Sequence, residues 1–153
     1  MADTEVRAIE RAAFEAWPAA EAVPLGGWWL RFNHGVTNRA SSVWPGPGAS
    51  GLSLAARVTE AERFYASRGA AACFQLSPAA EPPALDAVLA ARGYEIPAPP
   101  VSVEIAAVEP LAERTVREGV EAVCVDEPSE EWFDLSGRQG RFRGTDVDVY
   151  RAL

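Results

Sequence analysis

Between Ser41 and Glu95 the chain runs as strand, glycine loop, helix, strand, helix, and that order confines it to a mixed α/β domain. A short apolar strand ends at Trp44, and Pro45 to Gly51 follows as a glycine and proline loop. The next helix carries Leu54, Val58, Ala61 and Tyr65 on one stripe and stops before Gly69. Ala72 to Leu76 is the next strand. Pro82 and Pro83 suit the first turn of a further helix, whose apolar face is Leu85, Val88 and Leu89 and whose end is Gly93.

Before this core, Val6, Ile9, Ala13 and Trp17 recur at helical spacing, with Asp3 or Thr4 to cap the start and Pro18 to end it. Gly26 and Gly27 open a strand with Trp28, Leu30 and Phe32 on one face and Trp29, Arg31 and Asn33 on the other. A turn over His34 to Asn38 returns the chain through a strand near Arg39 to Trp44. After the core, Val101, Val103 and Ile105 alternate with Ser102 and Glu104 and predict a strand over 101–106. Leu111 to Val120 reads as a charged connector, Val120 to Val125 as a strand, Pro128 to Leu135 as a short helix and Val147 to Tyr150 as an edge strand. Residues 1–108 are expected to form one unit and 109–153 a connector with the incomplete start of a second. The expected core is Trp28, Leu30, Phe32, Val43, Leu54, Val58, Phe64, Phe74, Leu76, Leu85, Val88, Leu89, Val101, Val103 and Ile105.

The chain's 153 residues, 48% hydrophobic and 24% charged, belong to the globular class. The apolar runs are too short for a bilayer and the first residues lack a secretion signal, so a cytoplasmic location is expected and no membrane partner. A net charge of -8 argues against nucleic acid, because phosphate contacts need a basic face. Arg138, Arg141 and Arg143 cluster among glycines near the C-terminus and read as a solvated loop. Cys73 and Cys124 lie in apolar runs and read as buried free thiols, and one histidine without Cys-x-x-Cys leaves no metal-ligand spacing.

The segments Gly26-Gly27-Trp28-Trp29-Leu30-Arg31-Phe32, Thr37-Asn38-Arg39-Ala40-Ser41-Ser42-Val43 and Arg63-Phe64-Tyr65-Ala66-Ser67-Arg68-Gly69 resemble the GNAT superfamily of N-acetyltransferases, in particular the N-terminal half of tandem GNAT proteins. The resemblance implies a three-layer α/β/α domain with a mostly antiparallel central sheet. It implies acetyl-CoA as cofactor and a small-molecule or peptide amine as acceptor. In that superfamily a [Gln/Arg]-x-x-Gly-x-[Gly/Ala] loop binds the pyrophosphate through backbone N–H groups and a helix N-terminus. The matching place here holds Gly46, Gly48 and Gly51, the candidate cofactor residues. No Arg or Gln precedes them, and Pro47 removes a backbone donor, so a plain loop leading into the helix competes with the cofactor reading. The same residues spell Gly-x-Gly-x-x-Gly, but Cys73-Phe74-Gln75-Leu76 provides no acidic residue for the ribose of a dinucleotide.

Leu85 to Tyr94 resembles the superfamily's helix ending Leu-Tyr-x-x-x-Gly-Phe, whose tyrosine protonates the departing thiolate; Leu89 stands at that position and has no proton to give. Glu104 and His34 are the general-base candidates, each weighed against a surface strand carboxylate and a turn residue. No catalytic residue is assigned. Arg31, His34, Asn38, Arg39 and Ser41 place donors on the first hairpin and are the substrate-binding candidates, with pairing to surface carboxylates as the competing reading of the two arginines. The expected function is thus an N-acetyltransferase-like half that is weakly competent or non-catalytic by itself, with a non-catalytic binding module as the alternative. Adjacent Trp28 and Trp29 point to opposite strand faces, which predicts a homodimer or a second GNAT half as partner.

Overall fold

The computed structural model describes residues 3–97, 99–107, 119, 121, 123, 125–138 and 146–151. They divide into two units, one of Met1–Glu95 with Arg143–Leu153 and one of Ile96–Phe142. The expected boundary at residue 108 falls on residues outside the described set.

Helix α1 spans Asp3–Ala16, with Asp3 and Glu5 in its first turn, where carboxylates favour the helix dipole. Strands β1 (Glu21–Leu25), β2 (Trp28–Phe32) and β3 (Val43–Pro45) form an antiparallel sheet in the order β1-β2-β3. Gly26 and Gly27, with φ of 54° and 88°, make the two-residue turn between β1 and β2. Two successive positive φ values match the right-handed twist of a hairpin and favour glycine at both places. The register pairs Leu25 with Trp28, Val23 with Leu30 and Glu21 with Phe32. On the other side of β2, Trp29 pairs with Trp44 and Leu30 with Val43. Pro24 is tolerated because β1 is an edge strand.

Helix α2 (Leu54–Ala66) begins where Ser53 Oγ accepts the Ala56 N–H at 3.2 Å. It carries the chain from β3 to residues 73–75, which lie parallel to β3: the Val43 N–H donates to the Cys73 carbonyl at 2.8 Å and the Gln75 N–H to the Val43 carbonyl at 2.9 Å. Helix α3 (Leu85–Ala91) closes when the Tyr94 N–H bonds back to the Leu89 carbonyl at 3.1 Å. The core lies between one face of the sheet and these two helices, and unites Trp28, Leu30, Val43, Val58, Ala61, Tyr65, Leu85 and Leu89. Phe32, Leu54, Phe64, Phe74 and Val88 pack against it. On the opposite face, Phe14 of α1 meets Trp29 at 5.7 Å and Trp44 at 4.9 Å between ring centroids.

Polar groups anchor this core. Trp28 is fully buried, its Nε1 donates to the Glu81 carbonyl at 2.7 Å and the Arg57 guanidinium stacks 4.3 Å from its ring. Arg57 also donates to the Gly26 carbonyl at 2.8 Å, which fastens α2 to the hairpin turn. The fully buried Tyr65 donates its phenol O–H to the Arg31 carbonyl at 2.8 Å.

Several expected elements differ from those observed. The strand expected from residue 39 begins at Val43, because the chain spends residues 38–42 in turns and bends. The third helix begins at Leu85 and leaves Pro82 and Pro83 in the segment before it. Residues 101–106 are not a strand: Val101, Val103 and Ile105 are exposed, since alternation alone supplies no partner for backbone hydrogen bonds. Leu76 is half exposed, beyond the single bridge at Phe74. Residues Asp146–Arg151 form a helix where an edge strand was expected, and the expected helix after Pro128 spans Glu130–Arg138. Expectations for Cys124, Arg141 and Arg143 lie outside the described residues, as do alternate positions of the 120–125 strand.

Candidate functional site

The glycine loop leaves β3 and folds onto the β1–β2 turn. A Cβ placed on Gly48 would lie 2.5 Å from the Gly27 Cα, and one on Gly27 would lie 2.6 Å from the Gly48 Cα. A Cβ on Gly46 would meet the Gly27 carbonyl oxygen at 2.8 Å. Two backbones therefore touch where no side chain fits, and this contact alone accounts for glycine at 27, 46 and 48. Gly51 is different, with open space around its Cα and no neighbour within 4 Å of a built Cβ. Ser50 closes the loop locally, its Oγ accepting the Leu52 N–H at 3.1 Å.

Leu89, which the resemblance matches to the superfamily's tyrosine, is 4% exposed and belongs to the core cluster. The neighbouring phenol, Tyr94, donates instead to the Glu62 carboxylate at 3.2 Å. Burial first, and then the Glu62 charge, push its pKa up to about 12. Glu62 is also paired with Arg92 at 2.9 Å, so these three side chains tie the end of α3 to α2. Cys73 is a half-buried free thiol whose pKa burial raises, away from the thiolate form.

The hairpin candidates do not converge on one point. Arg31 is 3% exposed, donates to the Trp17 carbonyl and lies 4.7 Å over the Phe14 ring. Its burial lowers its pKa, while its contacts tie the end of α1 to β2. His34 is exposed, adopts φ 52° and precedes Gly35 at φ 76° in a turn closed by the Val36 N–H to the Asn33 carbonyl at 3.0 Å. Histidine is among the side chains that tolerate this left-handed region. Ser41 Oγ accepts the Asn33 N–H at 3.1 Å, and the exposed Arg39 lies 5.6 Å over the Trp17 ring. Asn38 is exposed in the same turn region. Glu104 is exposed and outside any strand.

A groove of about 260 Å³ opens elsewhere, between α1 and the corner where the two glycine segments meet. It is lined by Arg7, Arg11, Gly27, Trp29, Trp44, Gly46 and Pro47. Sequence reasoning missed it. Arg7 and Arg11 stand four residues apart on one face of α1, a spacing that marks a shared helix face but cannot say what that face meets. A shallower hollow of about 370 Å³ is lined by Ala71, Ala72, Arg92, Gly93, Tyr94 and Glu95.

The profile of the family described as "Probable histone acetyltransferase Rv0428c C-terminal" matches residues 3–153. The chain belongs to this family. It is 43% identical over 91 residues to "Uncharacterized N-acetyltransferase YobR" of Bacillus subtilis, an alignment covering 60% of this chain and 35% of the relative. It is 41% identical over 66 residues to "Probable histone acetyltransferase Rv0428c" of Mycobacterium tuberculosis, covering 41% of this chain and 20% of that protein. The chain thus spans about a third or less of the length of these relatives. No solved structure matches it. Membership in the family bears out the resemblance to GNAT-type acetyltransferases. No helix among the described residues is long and apolar enough to cross a membrane.

Proposed function

We propose that the chain is a supporting, non-catalytic half of an acetyl-CoA-dependent N-acetyltransferase of the GNAT type, whose catalytic partner is a second GNAT half. The observation that carries this reading is the glycine loop: Gly46 and Gly48 are committed to backbone contact with Gly27. A loop that binds pyrophosphate needs its glycines for approach to the ligand. Two further observations support it. Pro47 lacks a donor at the centre of the loop, and Leu89 is buried where a proton donor would stand.

The layering supports the GNAT part of the reading, with α1 against one sheet face through Phe14 and α2 and α3 against the other. Acetyl-CoA fits the residues of this half poorly: the loop's close-packed glycines leave its backbone facing the hairpin turn, and no arginine or glutamine precedes them. In the whole enzyme the acceptor is a small-molecule or peptide amine. The function of this half is then to complete the active unit by packing.

Release of the CoA thiol tests the proposal. Acetyl-CoA and a panel of primary amines are incubated with this chain alone and, separately, with full-length YobR from Bacillus subtilis. Turnover is expected in the full-length relative and not in this chain. Amine-dependent thiol release by the purified chain, abolished by Gly46→Ala at unchanged stability, would overturn it.

A further inference from the structure

We propose that the groove between α1 and the Gly27–Gly46 corner binds a small aromatic carboxylate, with its ring against Trp29 and Trp44 and its carboxylate toward Arg7 and Arg11.

The size and lining fit that class. A cavity of ~150 Å³ already admits benzene, so about 260 Å³ accommodates a ring with a short acidic arm. Trp29 and Trp44 are paired across β2 and β3 and therefore share one sheet face, giving the groove two adjacent aromatic walls. Trp44 is 7% exposed and Trp29 half-buried, so the two rings that wall the groove are held in place by the protein.

Charge points the same way. Arg7 is tied to Glu81 through Nη2, with its side chain 35% exposed. Arg11 pairs with Glu15, four residues on, with the two side chains 62% and 59% exposed. Exposed pairs of this kind contribute little and exchange readily, so a carboxylate in the groove can recruit Arg11. Glu81 and Glu15 are the acidic neighbours that a bound anion competes with. The planar guanidinium suits a carboxylate better than a point charge does.

Indole N–H resonances in ¹⁵N-labelled chain read the groove directly, with phenylacetate as probe and phenylacetamide and acetate as controls. Phenylacetate is expected to move the Trp44 signal, with half-saturation near ~1 mM or below. Phenylacetamide, which keeps the ring without the charge, and acetate, which keeps the charge without the ring, are each expected to bind at least about tenfold more weakly. Arg11→Gln, an exposed substitution that leaves unfolding unchanged, is expected to weaken phenylacetate about tenfold. An unmoved Trp44 signal at ~10 mM probe, an equal response to phenylacetamide, or unchanged affinity in Arg11→Gln would overturn the proposal.

Discussion

Replacing Gly48 by alanine isolates the contact on which the reading of the glycine loop rests. The new methyl would sit 2.5 Å from the Gly27 Cα and 3.2 Å from its nitrogen, both backbone atoms that no rotamer change can move. Restoring an ordinary carbon–carbon separation of ~3.5 Å requires the loop and the hairpin turn to part by about 1 Å. Overpacking of this kind costs ~1–3 kcal/mol, and the φ of 156° at Gly48 denies alanine the gain that Gly→Ala makes where the backbone suits it. In urea, with a slope of ~1.5 kcal/mol/M for a domain of this size, the midpoint should fall by about 1–2 M. Gly51→Ala is the internal control, because no atom lies within 4 Å of its Cβ position, and its stability should change by less than ~0.5 kcal/mol. Tryptophan fluorescence reports the transition, since the buried Trp28 anchors the core beside the turn. Equal midpoints for the two variants would refute the packing role of the loop.

Two other predictions follow from buried polar groups. Burial holds the Tyr65 phenol well above its ordinary pKa of 10.0. Its contribution is therefore complete below pH 10 and declines at higher pH by ~1.4 kcal/mol per unit, as the unfolded chain ionises and the folded one does not. Tyr94, raised to about 12, adds a second proton to that slope up to its own value. Tyr65→Phe should lower stability at neutral pH by ~1 kcal/mol and remove one proton from the alkaline slope, measured by urea titration between pH 8 and pH 11; an unchanged slope would contradict the burial of Tyr65. Arg31→Ala should cost ~2–4 kcal/mol, because it strands the Trp17 carbonyl and uncovers Phe14, whereas Arg39→Ala on the surface should stay within ~0.5 kcal/mol; calorimetric melting of the two variants distinguishes a structural arginine from a solvated one.

The helices α1, α2 and α3 were legible because their signals are local. Apolar spacing, Pro18 after α1, Gly69 after α2 and Gly93 after α3 all act within a few residues. The sheet was legible in its central strand and in the Val43–Trp44 part of β3. β1 was missed because Pro24 interrupts a segment with little burial, and its pairing is fixed by the turn at Gly26 and Gly27 instead. The alternation of Val101, Val103 and Ile105 misled for the reverse reason, since a period of two reports which side chains share a face and not whether a partner strand exists. At the site, the glycines of the loop were visible but their purpose was not. A Gly-rich loop after a strand reads the same whether its backbone approaches a phosphate or another backbone, and only the position of Gly27 separates the two. Arg31 was similarly ambiguous: its alternation placed it opposite Leu30, and the Trp17 carbonyl that engages it lies fourteen residues away in sequence.

Titration calorimetry of the purified chain with acetyl-CoA bears most directly on its assignment as a supporting half. No binding heat is predicted at micromolar concentrations, because the loop's Gly46 and Gly48 are occupied by Gly27 and Pro47 offers no N–H. Saturable binding with micromolar affinity, lost in Gly51→Ala while the fold is kept, would contradict that assignment and return the loop to the cofactor.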